Sequence, residues 1–416
     1  MKVCLLNLGC KVNQYEIDAI LHSLKGEYEV TEEFEKADIY IVNTCAVTSE
    51  AEKKSRQYVA KILNINKDAK IIICGCAAEN NAEQFVSKPQ VSLVVGTAQK
   101  GLLAEKIKNE IVGNNVVPIP LEYEDDMFSE SVRTRAYLKI QDGCNNFCSY
   151  CLIPYVRGRS RSRALESIFS EGKELSKVAK EIVITGINIS DYKINGQLAL
   201  SSVMQTLSDL PSRIRIGSLE VNVITDEFLS VLKNMKNFCP QFHLSLQSGS
   251  NKVLKDMNRH YTREEYLEKV SLIRKYFDNP AITTDIIVGY PTETEQDFND
   301  TLDLVEKVQF SQVHYFAYSR RTGTVAAKLP QINGEIIKGR EHQLSSLARK
   351  LKEKYLKSFI GKKLSVLIEE NVDNMFTGFS ENYIRCYIKD SVPLGEIMSI
   401  VVDEIYKDGV LCHLGN

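Results

Sequence analysis

Cys144, Cys148 and Cys151 stand in the stretch Gly143-Cys-Asn-Asn-Phe-Cys-Ser-Tyr-Cys151, three thiols separated by three and then two residues. Thiolates so spaced can hold three corners of one metal cluster and leave the fourth open. A structural zinc site needs a fourth ligand close by, and the next cysteine, Cys239, lies far down the chain without a CxxC partner. A 4Fe-4S cluster with one uncommitted iron suits the spacing better, because soft thiolates favour iron-sulfur chemistry and the free iron can take an outside ligand.

Three more thiols become interesting once the elements that must carry them are drawn. Apolar runs at Lys2 to Leu8, Asp38 to Asn43, Lys70 to Cys74 and Val91 to Val95 have strand length, and helical stretches such as Ser49 to Leu63 and Leu102 to Ile111 separate them. That alternation predicts a parallel sheet covered by helices, whose ligands gather at the carboxyl ends of the strands. Cys10, Cys45 and Cys76 each follow one of the first three strands, so the fold would bring them to one edge as a second metal site. Cys4 and Cys74 fall inside strands, where cysteine is a small buried hydrophobe, and are excluded as ligands.

An acidic stretch, Leu121 to Glu130, reads as a linker, and beyond it the strand-helix pattern restarts. Runs at Arg135 to Gln141, Glu181 to Thr185, Arg213 to Leu219, Gln241 to Leu246, Ala281 to Val288 and Gln312 to Phe316 predict a partial (β/α)6 barrel, with an open doubly wound sheet as the competing architecture. Five short alternating runs from Leu364 to His413 predict a small antiparallel β-barrel, a class that commonly binds nucleic acid. The expected division is therefore an N-terminal α/β domain over residues 1–118, a linker over 119–132, a barrel over 133–353 and the terminal β-barrel over 354–416.

Composition sets outer bounds. A chain of 416 residues calls for two or three domains. Eleven cysteines without a signal-peptide pattern point to a reducing, cytoplasmic setting and to metal ligation rather than disulfides. No run of 18 apolar residues is present, so no membrane span is expected. Fifty-two Lys and Arg against 54 Asp and Glu leave a formal charge of −2, which gives no global nucleic-acid signature. Local charge differs: seven Lys or Arg against Asp142 alone lie between Ser131 and Arg163, around the cysteine motif, and nine against two between Lys338 and Lys363.

The C-x3-C-x2-C spacing, with Tyr150 before the last cysteine, resembles the radical S-adenosylmethionine superfamily. Over nearly the whole chain the motifs resemble its methylthiotransferase family. They include Gly143 to Arg163, Ser218-Leu-Glu220, Leu246-Gln-Ser-Gly-Ser250, Met257-Asn-Arg259-His-Tyr261 and Thr284-Asp285-Ile-Ile-Val-Gly289, and the C-terminal segment is similar to a TRAM domain. Where the family usually has glycine after Gly-Tyr-Pro, this chain has Thr292, which would disfavour any left-handed backbone required there. Gly9-Cys-Lys-Val-Asn-Gln-Tyr-Glu16, Asn43-Thr-Cys-Ala-Val-Thr48 and Lys54-Ser-Arg-Gln57 look most like the subgroup acting on threonylcarbamoyladenosine in tRNA. Its siblings act on isopentenyladenosine or on an aspartate of a ribosomal protein.

The resemblance implies two 4Fe-4S clusters, on Cys10, Cys45 and Cys76 and on Cys144, Cys148 and Cys151. S-adenosylmethionine bound at the second is cleaved to a 5′-deoxyadenosyl radical, and a methylated sulfur at the first is transferred. Gly186, Asn188, Glu220, Gln247 and Arg259 are then candidates to bind S-adenosylmethionine. Arg157 and Arg163 are candidates for substrate phosphate or the methionyl carboxylate, since guanidinium makes forked bonds to either. His314, Tyr315 and Tyr318 would line the cavity or fill the barrel. The implied partners are tRNA, a reducing electron-donor protein and a sulfur donor, with no membrane. The rival from another class is an iron-sulfur electron carrier or RNA-binding scaffold without radical chemistry.

Overall fold

Strands rich in β-branched residues build the first layer of the computed structural model, which describes residues 1–129 and 134–415. Ile39–Thr44 and Lys70–Gly75 are buried along almost their whole length, as central strands of a helix-covered parallel sheet must be. The sheet is six-stranded and all parallel, in the order Glu29–Thr31, Lys2–Asn7, Ile39–Thr44, Lys70–Gly75, Val91–Val94, Gly113–Asn114. The two edge strands, only three and two residues long, carry no apolar run and escape a reading based on hydrophobic pattern. One apolar cluster fills each face.

The second unit has the six expected parallel strands: Arg135–Asp142, Glu181–Gly186, Arg213–Ile216 continuing as Ser218–Leu219, Gln241–Leu244, Ala281–Val288 and Gln312–Ala317. A bridge from Ile214 to Phe238 joins its two halves. Among the described residues the first and sixth strands do not pair, so the barrel is partial. Thr225, Thr262 and Thr294 accept bonds from the first turns of helices Asp226–Asn234, Arg263–Tyr276 and Glu295–Val308, which sharpens each loop-to-helix boundary.

The segment expected as a linker over 119–132 contains no helix or strand in its described part, 119–129, but is not free. The Asp125 carboxylate accepts from Arg163 Nε at 2.8 Å, the Met127 carbonyl from Tyr15 Oη at 2.9 Å, and Glu171 from the Ser129 amide at 2.6 Å. It is a strap stitching the first domain to the barrel; Glu130 to Arg133, the rest of the expected linker and start of the barrel, lie outside the described residues.

Helix Gly334–Lys357 leads from the barrel into a closed five-stranded β-barrel. One expectation changes here: Arg385–Ile388 and Gly409–Leu414 pair in parallel, so closure is not wholly antiparallel. The small barrel docks on the amino ends of the parallel strands. Arg213 Nη1 donates to the Ser365 carbonyl at 2.9 Å, Arg215 to the Ser380 and Glu381 carbonyls at 3.0 Å, and Arg135 pairs with Glu369 at 2.8 Å. Glu181 forms an ion pair with each of the three guanidiniums. A cavity of about 180 Å³ remains at this seam.

Candidate functional site

All six candidate cysteines occupy turns at the carboxyl ends of parallel strands. Cys10 caps helix Lys11–Leu24, Cys45 follows Ile39–Thr44, and Cys76 opens helix Cys76–Asn80. Short side chains stitch these turns. Asn13 Nδ2 donates to the Thr44 carbonyl at 3.0 Å, and the Thr44 hydroxyl donates to the Cys74 carbonyl while accepting from the Ala77 and Ala78 amides. Glycine is required at 75, where φ is 95° and a Cβ would lie 2.5 Å from Asn43 Oδ1. Cys74 points instead into the core beside Asn43.

The second triad sits on the loop after Arg135–Asp142. The Cys144 amide donates to the Gly158 carbonyl at 3.0 Å, and Asn258 Nδ2 to the Asn146 and Phe147 carbonyls. The Ser149 amide donates to the Met257 carbonyl. The end of the helix Asn251–Asp256 therefore clamps the loop.

N–H groups surround the sulfurs. The amides of Val47, Asn146 and Ile153 approach Cys45, Cys144 and Cys151 at 3.4–3.5 Å, Arg259 Nη1 lies 3.4 Å from Cys148, and Arg157 Nε 3.2 Å from Cys76. Burial pushes the Cys45 thiol up to about 11 and Cys151 to about 12, so neither is a free thiolate at neutral pH. Such thiols ionise when metal replaces the proton. Among the described residues no three His, Cys, Asp or Glu side chains draw together as they would on one metal ion. Soft thiol donors in two groups of three, with an N–H group at five of the six sulfurs, suit iron-sulfur chemistry.

Three of the five S-adenosylmethionine candidates border the second triad. Asn188 Nδ2 lies 3.9 Å from Cys144, and the Glu220 carboxylate accepts from Asn146 at 2.8 Å and from Arg259 at 3.0 Å. Gly186 leaves room for the Gln141 carbonyl, 2.9 Å from where its Cβ would stand. Gln247, with φ 67°, is fixed through its main chain to Asp285 and Ile287.

Arg157 and Arg163 are not available to a substrate. Both are fully enclosed, Arg157 by Glu16, Asp142, Asn13 and Cys76, and Arg163 by Glu171, Asp125, Ser167 and Tyr15. Removing either guanidinium from its carboxylates would leave buried charge unpaired, so the expectation of substrate contacts is replaced by a structural tie between domains. Thr292 is not among the residues with positive φ, so the missing glycine costs the loop nothing there.

Lys100 was not singled out from sequence, and Lys11, Asn13 and Glu16 were quoted only within the Gly9 to Glu16 motif, without roles of their own. Asn13 and Glu16, three apart on one helix face, could have been found by periodicity. Lys11 is exposed at the surface, and desolvation by the protein packed around it, followed by the Arg215 and Arg135 guanidiniums, lowers its pKa. Its charge reaches Asp285, which is bonded to His243 at 3.1 Å, and His314, whose ring lies 5.9 Å from that of His243.

Comparison with known proteins now decides the family. Residues 138–305 match the Radical SAM superfamily and residues 2–96 match Uncharacterized protein family UPF0004. The threonylcarbamoyladenosine tRNA methylthiotransferase MtaB of Bacillus subtilis is 37% identical over 97% of this chain and 93% of its own. The chain belongs to the radical S-adenosylmethionine methylthiotransferase family. The tRNA-2-methylthio-N(6)-dimethylallyladenosine synthase of Acetivibrio thermocellus is 31% identical over 97% of this chain and 88% of its own. The radical S-adenosylmethionine methyltransferase TsrM of Kitasatospora setae shares the fold, with TM-score 0.58 at 14% identity over 78% of this chain and 77% of its own. This methylthiotransferase is thus an enzyme, not a passive carrier or scaffold, and it uses S-adenosylmethionine and two 4Fe-4S clusters. Among the described residues no helix is long and apolar enough to cross a membrane.

Proposed function

We propose that this methylthiotransferase converts N6-threonylcarbamoyladenosine, 3′ of the anticodon in tRNA, to its 2-methylthio derivative. The observation that carries this reading is the end-to-end likeness to an enzyme named for that nucleoside, at 37% identity against 31% for the relative named for dimethylallyladenosine. Cys144, Cys148 and Cys151 hold one cluster, and Cys10, Cys45 and Cys76 the other. When bound, the clusters and S-adenosylmethionine supply the one-electron chemistry and the sulfur site that an unactivated ring carbon requires.

The protein's own residues place and select. Asn188 and Glu220, beside Cys144 and Asn146, border the methionyl end of S-adenosylmethionine, with Gly186 and Gln247 on the same rim. Arg259 acts through Glu220, which it orients by an ion pair while its other nitrogen faces Cys148. Lys11, next to Cys10, is the cation that meets the threonyl carboxylate; an isopentenyl group would leave it unpaired. The terminal barrel grips the tRNA body, where Arg385 and Lys407 flank the rings of Tyr387 and Tyr406. The reaction takes place in the cytoplasm and draws on a reducing protein and a sulfur donor.

The test gives reconstituted, reduced enzyme tRNA bearing threonylcarbamoyladenosine or isopentenyladenosine under anaerobic conditions, with nucleosides read by mass spectrometry. The threonylcarbamoyl substrate should be preferred, and Lys11→Met should lower kcat/KM for it about ten- to hundredfold, the range for loss of a charged hydrogen bond. Preferential modification of isopentenyladenosine, or of a ribosomal protein, overturns the substrate.

A further inference from the structure

The two cysteine triads are joined by one buried guanidinium. Arg157 lies six residues beyond Cys151, at the end of the short helix Ile153–Val156, and is 0% exposed. Its Nε donates to Cys76 Sγ at 3.2 Å. Nη1 donates to Glu16 at 2.7 Å and to Asp142 at 3.2 Å, and Nη2 to Asn13 at 3.0 Å and Glu16 at 3.2 Å. Asp142 accepts from the Gly143 amide at 2.7 Å, and Gly158, the residue after Arg157, accepts from the Cys144 amide at 3.0 Å. A short path of bonds therefore runs from Cys76 in one domain to Gly143 and the Cys144 amide in the other.

Buried charges of both signs line this path: Lys100, Lys139, Arg157 and Arg161 face the carboxylates of Glu16 and Asp142, and Glu124 and Asp126 also oppose Lys139. Pairing with Glu16 and Asp142 would satisfy Arg157 as a structural tie; the bond from Nε to sulfur is additional to that need.

We propose that Arg157 is the positioning residue of the N-terminal cysteine site: it fixes Cys76 against the loop carrying Cys144 and raises the reduction potential of the cluster held by Cys10, Cys45 and Cys76. The physical cause is that an N–H group aimed at a ligating sulfur stabilises the more negative, reduced state. This inference rests on the reading of those three cysteines as a cluster site.

The experiment uses full-length protein carrying Cys144→Ala, Cys148→Ala and Cys151→Ala, so that only the N-terminal cluster is observed, in a redox titration followed by electron paramagnetic resonance. Arg157→Lys keeps a cation but loses the bond from Nε. The pair Arg157→Gln with Glu16→Gln removes one cation and one anion together and guards against misfolding. Both should lower the reduced-to-oxidised ratio at fixed potential at least tenfold, which is about 59 mV for one electron. Arg163→Lys, an equally enclosed guanidinium without a cysteine neighbour, should change thermal stability but not potential. Reduced-to-oxidised ratios at fixed potential within threefold of the parent in the Arg157 variants overturn the inference and reduce Arg157 to a structural tie. Absence of iron from the parent itself overturns the cluster reading, and the inference with it.

Discussion

The two cysteine triads reach the same chemistry by opposite routes. Cys144, Cys148 and Cys151 lie within eight residues on one loop, whose main chain is clamped by Met257 and Asn258. Cys10, Cys45 and Cys76 come from three turns that meet only because three strands lie side by side in register. The first site is written into a local segment and needs the barrel for support. The second exists only when the sheet does, so a change in backbone packing far from any thiol can abolish it.

The largest effect should follow from removing the thiols themselves. Alanine at Cys144, Cys148 and Cys151 should leave roughly half the iron, because each site closes its own coordination, and abolish cleavage of S-adenosylmethionine. Alanine at Cys10, Cys45 and Cys76 should likewise leave about half the iron yet still yield 5′-deoxyadenosine, with no methylthio product. Iron assays and chromatography of the reaction check both. If the first variant emptied both sites in a folded protein, the two triads would not be independent.

A large loss of stability that spares both triads should come from the opposite end of the barrel. Glu181 is buried between Arg135, Arg213 and Arg215. Burial alone would raise its pKa, but Arg215 first, then Arg135 and Arg213, bring it down to about 2. A folded value below the unfolded 4.5 contributes stability that is present above pH 4.5 and lost as pH falls through 2. That contribution is about 3 kcal/mol at pH 7 and roughly half of it at pH 3. Thermal melts should show Glu181→Gln well below the parent at pH 7, with the gap narrowing at pH 3, and the variant should retain full iron at pH 7. The same geometry makes deletion of residues 361–416 a poor probe of tRNA binding, because it would strand Arg213 and Arg215 without the carbonyls they donate to and Arg135 without Glu369. Replacing Arg385 and Lys407 on the barrel surface tests binding more cleanly.

A smaller loss of stability should do more damage to the assembled triad. Gly75→Ala forces a Cβ into a backbone with φ 95° and to within 2.5 Å of Asn43 Oδ1. The expected cost is about 1–3 kcal/mol of strain, less than Glu181→Gln at its upper range, yet it falls on the turn that aims Cys76. Iron should drop toward half while S-adenosylmethionine cleavage persists. Full iron in a folded Gly75→Ala protein would mean that the assembled site tolerates movement as well as the local one.

Sequence pattern exposed these routes unequally. The CxxxCxxC loop was legible outright, and the second triad was legible because strand-helix periodicity fixes which residues end strands. The barrel strands and the closed terminal barrel followed from the same periodicities. What stayed hidden was tertiary charge. Arg157 and Arg163 read as candidates for substrate phosphate or the methionyl carboxylate, because nothing local reveals that Glu16, some 140 residues earlier, and Glu171 enclose them. The strap at 119–129 looked like a linker for the same reason: its bonds are made by irregular backbone and acidic side chains, which carry no period. The parallel pair in the terminal barrel depends on which strands become neighbours, and alternation within a strand does not encode that.

The smallest effect is expected at Thr292, where a family pattern suggested a sensitive position beside the local triad. Thr292 is not in the left-handed region, so restoring glycine relieves no strain. It would instead remove the bond from Thr292 Oγ1 to Asp256 Oδ2 and loosen the unfolded chain, a combined cost of about 1–2 kcal/mol. Asp256 also accepts, through its carbonyl, from Ser149 Oγ at 2.8 Å and Tyr290 Oη at 2.9 Å, and those two bonds hold the cysteine loop without help from Thr292. Thr292→Gly should therefore lower the melting temperature by a few degrees while leaving iron content and the KM for S-adenosylmethionine within about twofold of the parent. A larger rise in KM would show that the loop after Gly289 touches S-adenosylmethionine directly, and the local triad would then depend on distant backbone much as the assembled one does.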